Sequence, residues 1–410
     1  MRVAIQTLGT RGDVQPYVAL AKGLMARGHA VMLAGPAQYE SLAAAHGVAY
    51  RGLPAEFLAL LDTPEGKAAV AGGQGFSAGF KLLKHVRPMM ARLLAEEWRG
   101  LTEFRPDAIV HHPKSLASPY AAARLDVPLL LASPLPGFTP TAAFPTPLLP
   151  FRSLGPLIRA SHALLAGAGA TMFGKEIKAW QREALGGTIR PRRPDGTLYA
   201  YSRHVLPRPP DWGEDVAVTG YWWLDQPDWG PDERLAAFLA AGDKPIYVGF
   251  GSMPGLDPMR MTELVTAALA ACGKRGLLLS GGGALGARES DARVHVINGA
   301  PHDRLLPLMA AVIHHGGAGT TGAALRAGLP SAICPFFGDQ PFWARQVQDL
   351  GAGPAPLDRK RLGVEAIAAA IRAMDDPGMR RRAAAIGEAM RAEDGVGAAV
   401  ALIEAKVGRR

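Results

Sequence analysis

Short apolar runs alternate with amphipathic stretches along most of the chain. Val3–Thr7 is an apolar run that ends in the loop GTRGDVQP. Tyr17–Arg27 then places Ala19, Leu20, Leu24 and Met25 on one helical face, with Gly28 just past its end. Ala30–Ala34 is the next strand, and strand–loop–helix–strand is the start of a parallel α/β sheet. The unit recurs in the strands Ala108–His111 and Leu129–Ser133 around a helix over Ala117–Leu125, and Leu198–Ser202 closes the first half. The rhythm breaks at RPPDWGEDVAVTGYWWLDQPDWGPD, Arg208 to Asp232, whose Pro and Trp content marks a domain junction. It restarts with a strand at Ile246–Gly249, a helix at Thr262–Cys272 and a strand at Leu277–Leu279. Val294–Ile297, Ala311–His314 and Ser331–Cys334 are further strands, with a helix over Thr320–Ala327 before the last. Past Arg359 the Ala/Arg-rich remainder reads as helices. The pattern predicts an α/β protein of two Rossmann-like domains facing each other across a cleft, residues 1–207 and 231–387. A linker at 208–230 joins them, and a C-terminal helix at about 388–410 packs back on the first.

Two segments of the first half depart from this rhythm. FSAGFKLLKHVRPMMARLLA, residues 76–95, carries Lys81, Lys84, Arg87 and Arg92 without an acid and has a strong apolar face. It reads as a helix pair on the sheet, or as a basic amphipathic surface that touches an anionic membrane. Ser133–Pro150 contains six prolines among apolar residues, so it is neither helix nor central strand but a loop that packs on, or lines, something. The net charge of +9 allows nucleic acid, an anionic membrane or an anionic substrate. The Lys and Arg are scattered, with no aromatic-interleaved basic stripe, which argues against nucleic acid. Cys272 and Cys334 sit in apolar contexts and lack a second Cys or His at ligand spacing, so they read as buried thiols and not zinc ligands. No signal-peptide layout and no apolar run of about 18 residues appears, which predicts a cytoplasmic protein.

Four stretches carry candidate chemistry. HHGGAGTTG, His314 to Gly322, joins an apolar strand to a helix whose first turn is glycine and threonine. Free backbone N–H groups, the helix dipole, the Thr320 and Thr321 hydroxyls and the His315 ring make this a site for phosphate; otherwise it is a turn that only packs tightly. Gly317–Gly322 also fits G-x-G-x-x-G, the turn of an NAD-dependent oxidoreductase. That turn needs a ribose-holding acid about 20 residues on, and Asp339 lies near that distance but in a loop beyond the strand. GFGSMPG, Gly249 to Gly255, puts Ser252 after a strand, as a second phosphate contact or an ordinary turn. In GTRGDVQP, Asp13 is a helix N-cap or a general base. In FFGDQPFW, Asp339 and Gln340 offer acceptors and donors beside aromatic rings, suited to a polyol or to a polar turn.

Together GTRGDVQPYVALAKGL, HVLPRPPDWGEDVAVTGYWWLD, PIYVGFGSMP and HHGGAGTTGAALRAGLPSAICPFFGDQPFWA resemble the GT-B fold nucleotide-sugar glycosyltransferases. Within these the chain looks most like the sterol glucosyltransferase-like group and the bacterial natural-product enzymes. The resemblance implies an acceptor domain first and a nucleotide-sugar domain second. It implies Asp13 as catalytic base, Ser252, His315, Gly317, Gly319 and Thr320 at the donor diphosphate, and Asp339 and Gln340 at the donor sugar. Gly299, Ala300, Pro301 and His302 would border the nucleobase, and Phe138, Phe144 and His112 a greasy acceptor pocket. Gly299 stands where plant relatives of the fold have a base-stacking tryptophan, and Ala323 where they have a ribose-binding glutamate, so UDP and dTDP sugars both remain open. The implied reaction is a one-step, inverting, metal-independent transfer of a hexose, glucose from UDP-glucose first, to a sterol, triterpenoid or polyketide hydroxyl. Beyond the nucleotide sugar and the lipophilic acceptor it needs no cofactor. Burial in the cleft is expected to raise the pKa of Asp13 and make it a better base.

Overall fold

All pairings in both sheets are parallel, as the near-continuous apolar strands require of sheets covered on both faces. The structure, a computed structural model, describes residues 1–54, 56, 75–251, 253, 257–286 and 288–408, with the backbone alone for 75–85. The chain divides into two units, one of residues 1–203, 207–224 and 394–410 and one of 204–206 and 225–393.

In the first unit β1 (Arg2–Gln6), β2 (Ala30–Pro36), β3 (Tyr50–Leu53), β4 (Ala108–His111), β5 (Leu129–Ser133), β6 (Gly196–Tyr199) and β7 (Val216–Val218) form one sheet. Its order is β3-β2-β1-β4-β5-β6-β7. Val3, Ile5 and Val110 point to one face, under the helix Arg11–Ala26 and the C-terminal helix Gly395–Val407, whose Ala399, Val400 and Ile403 join the same core. Ala4, Ile109 and Leu129 point to the other, under Leu101 of the helix Gly75–Phe104 and Ala121 of the helix Ser118–Leu125. Part of the stretch expected as a linker is therefore sheet, because Val216–Val218 pairs with β6.

In the second unit β8 (Ile246–Gly249), β9 (Gly276–Leu279), β10 (Val294–Ile297), β11 (Ala311–His314) and β12 (Ser331–Ile333) run in the order β10-β9-β8-β11-β12. The helices Pro258–Ala271 and Val364–Ala373 cover its core. Each sheet reverses its winding once, between β1 and β4 in the first and between β8 and β11 in the second. At such a point neighbouring strands send their following chains to opposite faces, which leaves a crevice beyond the strand ends.

Cys334 is buried and Cys272 half-buried, and both are free thiols. No described helix is long and apolar enough to cross a membrane.

Candidate active site

At the crevice of the first sheet three side chains meet, from the chain after β1 and after β4. β1 ends at Gln6, and the helix begins at Arg11 with Thr10 as its N-cap. Asp13 therefore stands in the third helical position, neither in the loop expected from GTRGDVQP nor at the cap itself. Its Oδ2 accepts the Thr10 N–H at 2.9 Å, the return half of a capping box. The loop after β4 supplies the other partners. Lys114 Nζ lies 2.9 Å from Oδ2, and His112 Nε2 lies 3.3 Å from Oδ1. His112 Nδ1 accepts the Lys114 N–H at 3.1 Å, which places the ring proton on Nε2 and makes the neutral ring a donor to Asp13.

The electrostatics overturn the expectation for this carboxyl. Burial alone pushes the Asp13 pKa up, but the Lys114 charge and the His112 hydrogen bond outweigh it and hold Asp13 well below the usual carboxylate range. Burial lowers the pKa of His112 more than Asp13 raises it, so the imidazole stays neutral near pH 7. Gly9 makes room for the ion pair. Its φ is +133°, and a Cβ there would collide with Oδ2 and lie 2.7 Å from Lys114 Nζ.

The crevice of the second sheet is lined by backbone. β11 runs into His315, Gly316 and Gly317, and Gly317 is the N-cap of the helix Ala318–Arg326 with no side chain capping it. Asp232, Asp257, Asp376 and Asp394 cap four other helices by accepting first-turn N–H groups, while the helix starts at Ser118, Gly174 and Val364 also lack a side-chain cap. The helix after β11 keeps its first-turn donors and its positive dipole end for something else. Gly319 is exposed, and a Cβ on it would meet nothing within 4 Å. Thr320 is half-buried beside it, whereas Thr321, expected as a second donor, is fully buried. His315 leans over this helix start, because a Cβ on Gly317 would lie 2.6 Å from its Nε2. Burial lowers its pKa to about 4, against a weaker pull from the Gly249 backbone, so near neutrality the ring is uncharged.

Other expected residues are engaged differently. Gln340 is buried, its side-chain oxygen accepting the Phe336 N–H at 2.7 Å and its amide reaching Met253 Sδ at 3.3 Å, so it braces its own loop. Asp339 accepts the Trp343 Nε1–H at 2.8 Å. Pro301 stands at the N-cap position of the short helix His302–Leu305 without a side-chain cap, and His302 Nε2 lies 3.0 Å from the Tyr247 hydroxyl. Ala300 is half-buried beside them, and Gly299 edges a cavity of about 950 Å³ that also touches Trp229 and Phe238. Phe144 is buried edge-on against His162 and Trp212, which makes it the core of the Pro-rich loop and not a free pocket wall. Phe138 is half-buried, and its N–H meets the Tyr199 hydroxyl at 3.3 Å. His112, expected at the acceptor pocket, is the partner of Asp13. Ser252 lies outside the described residues.

From Val86 onward the 76–95 segment packs Leu93 and Leu94 into the core. Arg87 faces Glu176 at 3.6 Å and Arg92 faces Glu56 at 3.1 Å. The side chains of 76–85 lie outside the described residues.

Sequence reasoning missed Lys114, which is 101 residues from Asp13 and reaches it only because β4 lies beside β1. It also passed over Gly281 and Gly282 in the run SGGGALG after β9. A Cβ on Gly282 would strike the Gly251 backbone, so this loop crosses the end of β8 at contact distance. Among the described residues no group of three or more His, Cys, Asp or Glu could hold a metal ion.

Known proteins share this organisation. Residues 3–138 match the Glycosyltransferase family 28 N-terminal domain, and residues 287–402 match the Erythromycin biosynthesis protein CIII-like C-terminal domain. O-mycaminosyltylonolide 6-deoxyallosyltransferase of Streptomyces fradiae is 36% identical over 423 residues, 98% of this chain and 97% of that enzyme. A sterol 3-beta-glucosyltransferase of Arabidopsis thaliana is 34% identical over 422 residues, and this chain spans 64% of its length. For the same enzyme of Emericella nidulans the identity is 34% and the span 30%. Among solved structures, the glycotransferase of kitacinnamycin has a TM-score of 0.74 at 19% identity, with 99% of each chain covered. A Streptomyces glycosyltransferase complexed with thymidine diphosphate has a TM-score of 0.63 at 20% identity, with 99% of each chain covered.

Proposed function

Because the chain belongs to the GT-B glycosyltransferases of the sterol glucosyltransferase-like group, we propose that it moves a hexose from a nucleoside diphosphate sugar to a hydroxyl of a lipophilic acceptor. The observation that carries the reading is the uncapped, glycine-opened helix start after β11, at the winding reversal of its sheet. The donor diphosphate sits on the first-turn N–H groups, with the Thr320 hydroxyl and the neutral His315 ring as further donors. Asp13 accepts the proton of the acceptor hydroxyl. The acceptor oxygen then bonds to the anomeric carbon as the bond from that carbon to the diphosphate oxygen breaks, and the nucleoside diphosphate leaves. One displacement inverts the sugar carbon. The charge that gathers on the leaving diphosphate is met by donors already in place, the largest contribution a site of this kind makes.

UDP-glucose and a sterol-like alcohol are the first donor and acceptor, supported by the sterol 3-beta-glucosyltransferases among the relatives. Exposed Phe151, Leu157 and Leu164 in the first unit suit a lipophilic acceptor. A dTDP-deoxysugar and a polyketide are the second reading, favoured by the near full-length match to the deoxyallosyltransferase. A mass-spectrometric screen of UDP- and dTDP-sugars against sterols, triterpenoids and polyketide aglycones tests both. A product heavier by one sugar residue supports the transferase. Stabilisation by NAD and not by UDP or dTDP, with no product from any pair, refutes it.

A further inference from the structure

We propose that Lys114 is a positioning residue of the transfer, anchoring Oδ2 of Asp13 so that Oδ1 alone faces the acceptor hydroxyl. This rests on Asp13 being the base. The geometry separates the two carboxylate oxygens. Oδ2 takes the Thr10 N–H at 2.9 Å, Lys114 Nζ at 2.9 Å and the Thr10 hydroxyl at 3.3 Å, which fills its lone pairs. Among the described residues Oδ1 takes only His112 Nε2 at 3.3 Å, which leaves one of its lone pairs for the acceptor. His112 cannot replace Asp13 as base, since its Nδ1 already accepts the Lys114 N–H.

Lys114 thus enters twice, through its backbone on His112 and its side chain on Asp13. Its side chain is 52% exposed where that of Asp13 is 19% exposed, so a solvent-facing cation holds the charge of a largely covered carboxylate. Gly9 keeps the space between them clear. Among the described residues Tyr17, on the same helix and hydrogen-bonded to the Ala132 carbonyl, also couples to Asp13, and His111 adjoins His112, its Nδ1 3.2 Å from the His112 carbonyl. Neither brings a second positive charge, because burial keeps Tyr17 protonated and neutral and holds His111 uncharged near pH 7.

The arrangement also explains how the site resets. A proton taken by Oδ1 makes a neutral acid beside an ammonium, and the ammonium drives it off to solvent. The cost is a weak base, which the fixed geometry at Oδ1 offsets.

The test is a carboxyl-carbon NMR titration of the full chain, with Asp13 assigned by its loss in Asp13→Asn, alongside the pH dependence of kcat/KM. In Lys114→Met the Asp13 midpoint rises by about 1 to 3 pH units. The acidic limb of kcat/KM rises with it, donor KM is unchanged, and Lys114→Arg restores both. Unmoved titration in a folded Lys114→Met overturns the proposal. So does a moved titration with an unmoved acidic limb. In that second case Asp13→Asn separates the causes: an inactive variant leaves the base in place and removes Lys114 from the reaction, and an active variant removes the base itself.

Discussion

The carboxylate of Asp13 is held by a backbone amide, an ammonium and an imidazole, and only the first of these partners comes from a local rule. The amide belongs to the capping box, which Thr10 and Asp13 encode at the spacing of three that such a box needs. That much is written in the sequence. The ammonium and the imidazole are not, because no local pattern links residue 13 to residues 112 and 114, and only the β1–β4 pairing does. The direction of the pKa followed from this missing link: burial alone raises it, and the unseen cation reverses the sign. Gly9→Ala tests the packing of the pair. A side chain at φ +133° is strained by about 1–3 kcal/mol, and its Cβ would displace the carboxylate. Thermal unfolding is expected to show the loss of stability, and product assays a fall in transfer much larger than the fall in nucleotide affinity by calorimetry.

Among the elements, the helix Ala318–Arg326 was legible because its glycines and threonines are contiguous. The helix Arg11–Ala26 was read as starting six residues late, since its first turn is polar and shows no apolar period. The open space at Gly319 gives a prediction with opposed signs. Gly319→Asp puts a carboxylate in the first turn, where the helix dipole favours it by about 0.3–1 kcal/mol, yet it repels a diphosphate. Unfolding temperature holds or rises, while UDP and dTDP affinity falls by about tenfold or more. A loss of stability with unchanged nucleotide binding would place the diphosphate elsewhere.

The helix Gly75–Phe104 carries a different tension. Glu97 is fully buried beside Ser115 and Ala117, with neither oxygen in a well-formed hydrogen bond. Burial raises its carboxyl from 4.5 to about 7, against weaker pulls from Ser115 and the Ala117 backbone. A raised pKa means that the folded chain holds a proton the unfolded chain has released, so stability is lost as pH rises from about 4.5 to about 7. The loss is about 3 kcal/mol at pH 8. Glu97→Gln is expected to flatten that decline in denaturant titrations at pH 5 and pH 8.

On the scale of the whole molecule, the restart of the αβ rhythm after the Pro/Trp-rich stretch revealed two Rossmann-like sheets. The strand Val216–Val218 escaped because three residues between prolines and tryptophans carry no period of their own. The C-terminal helix belongs to the first unit through its packing on Arg11–Ala26, where Ile403 is fully buried. Ile403→Ala removes about 2–5 kcal/mol from that core. Its unfolding transition should drop while nucleotide binding to the intact second unit persists. The two winding reversals put Asp13 and the Gly317–Thr320 helix start each at the crevice of its own sheet, so the tasks proposed for them are separable. The most direct check is the rate of glycoside formation by Asp13→Asn at saturating nucleotide sugar, with calorimetric binding of the same nucleotide to the same preparation. Expected are a nucleotide affinity close to that of the unaltered chain and a rate lower by about 10²–10⁴-fold. Transfer at an undiminished rate would contradict the role of Asp13 as base.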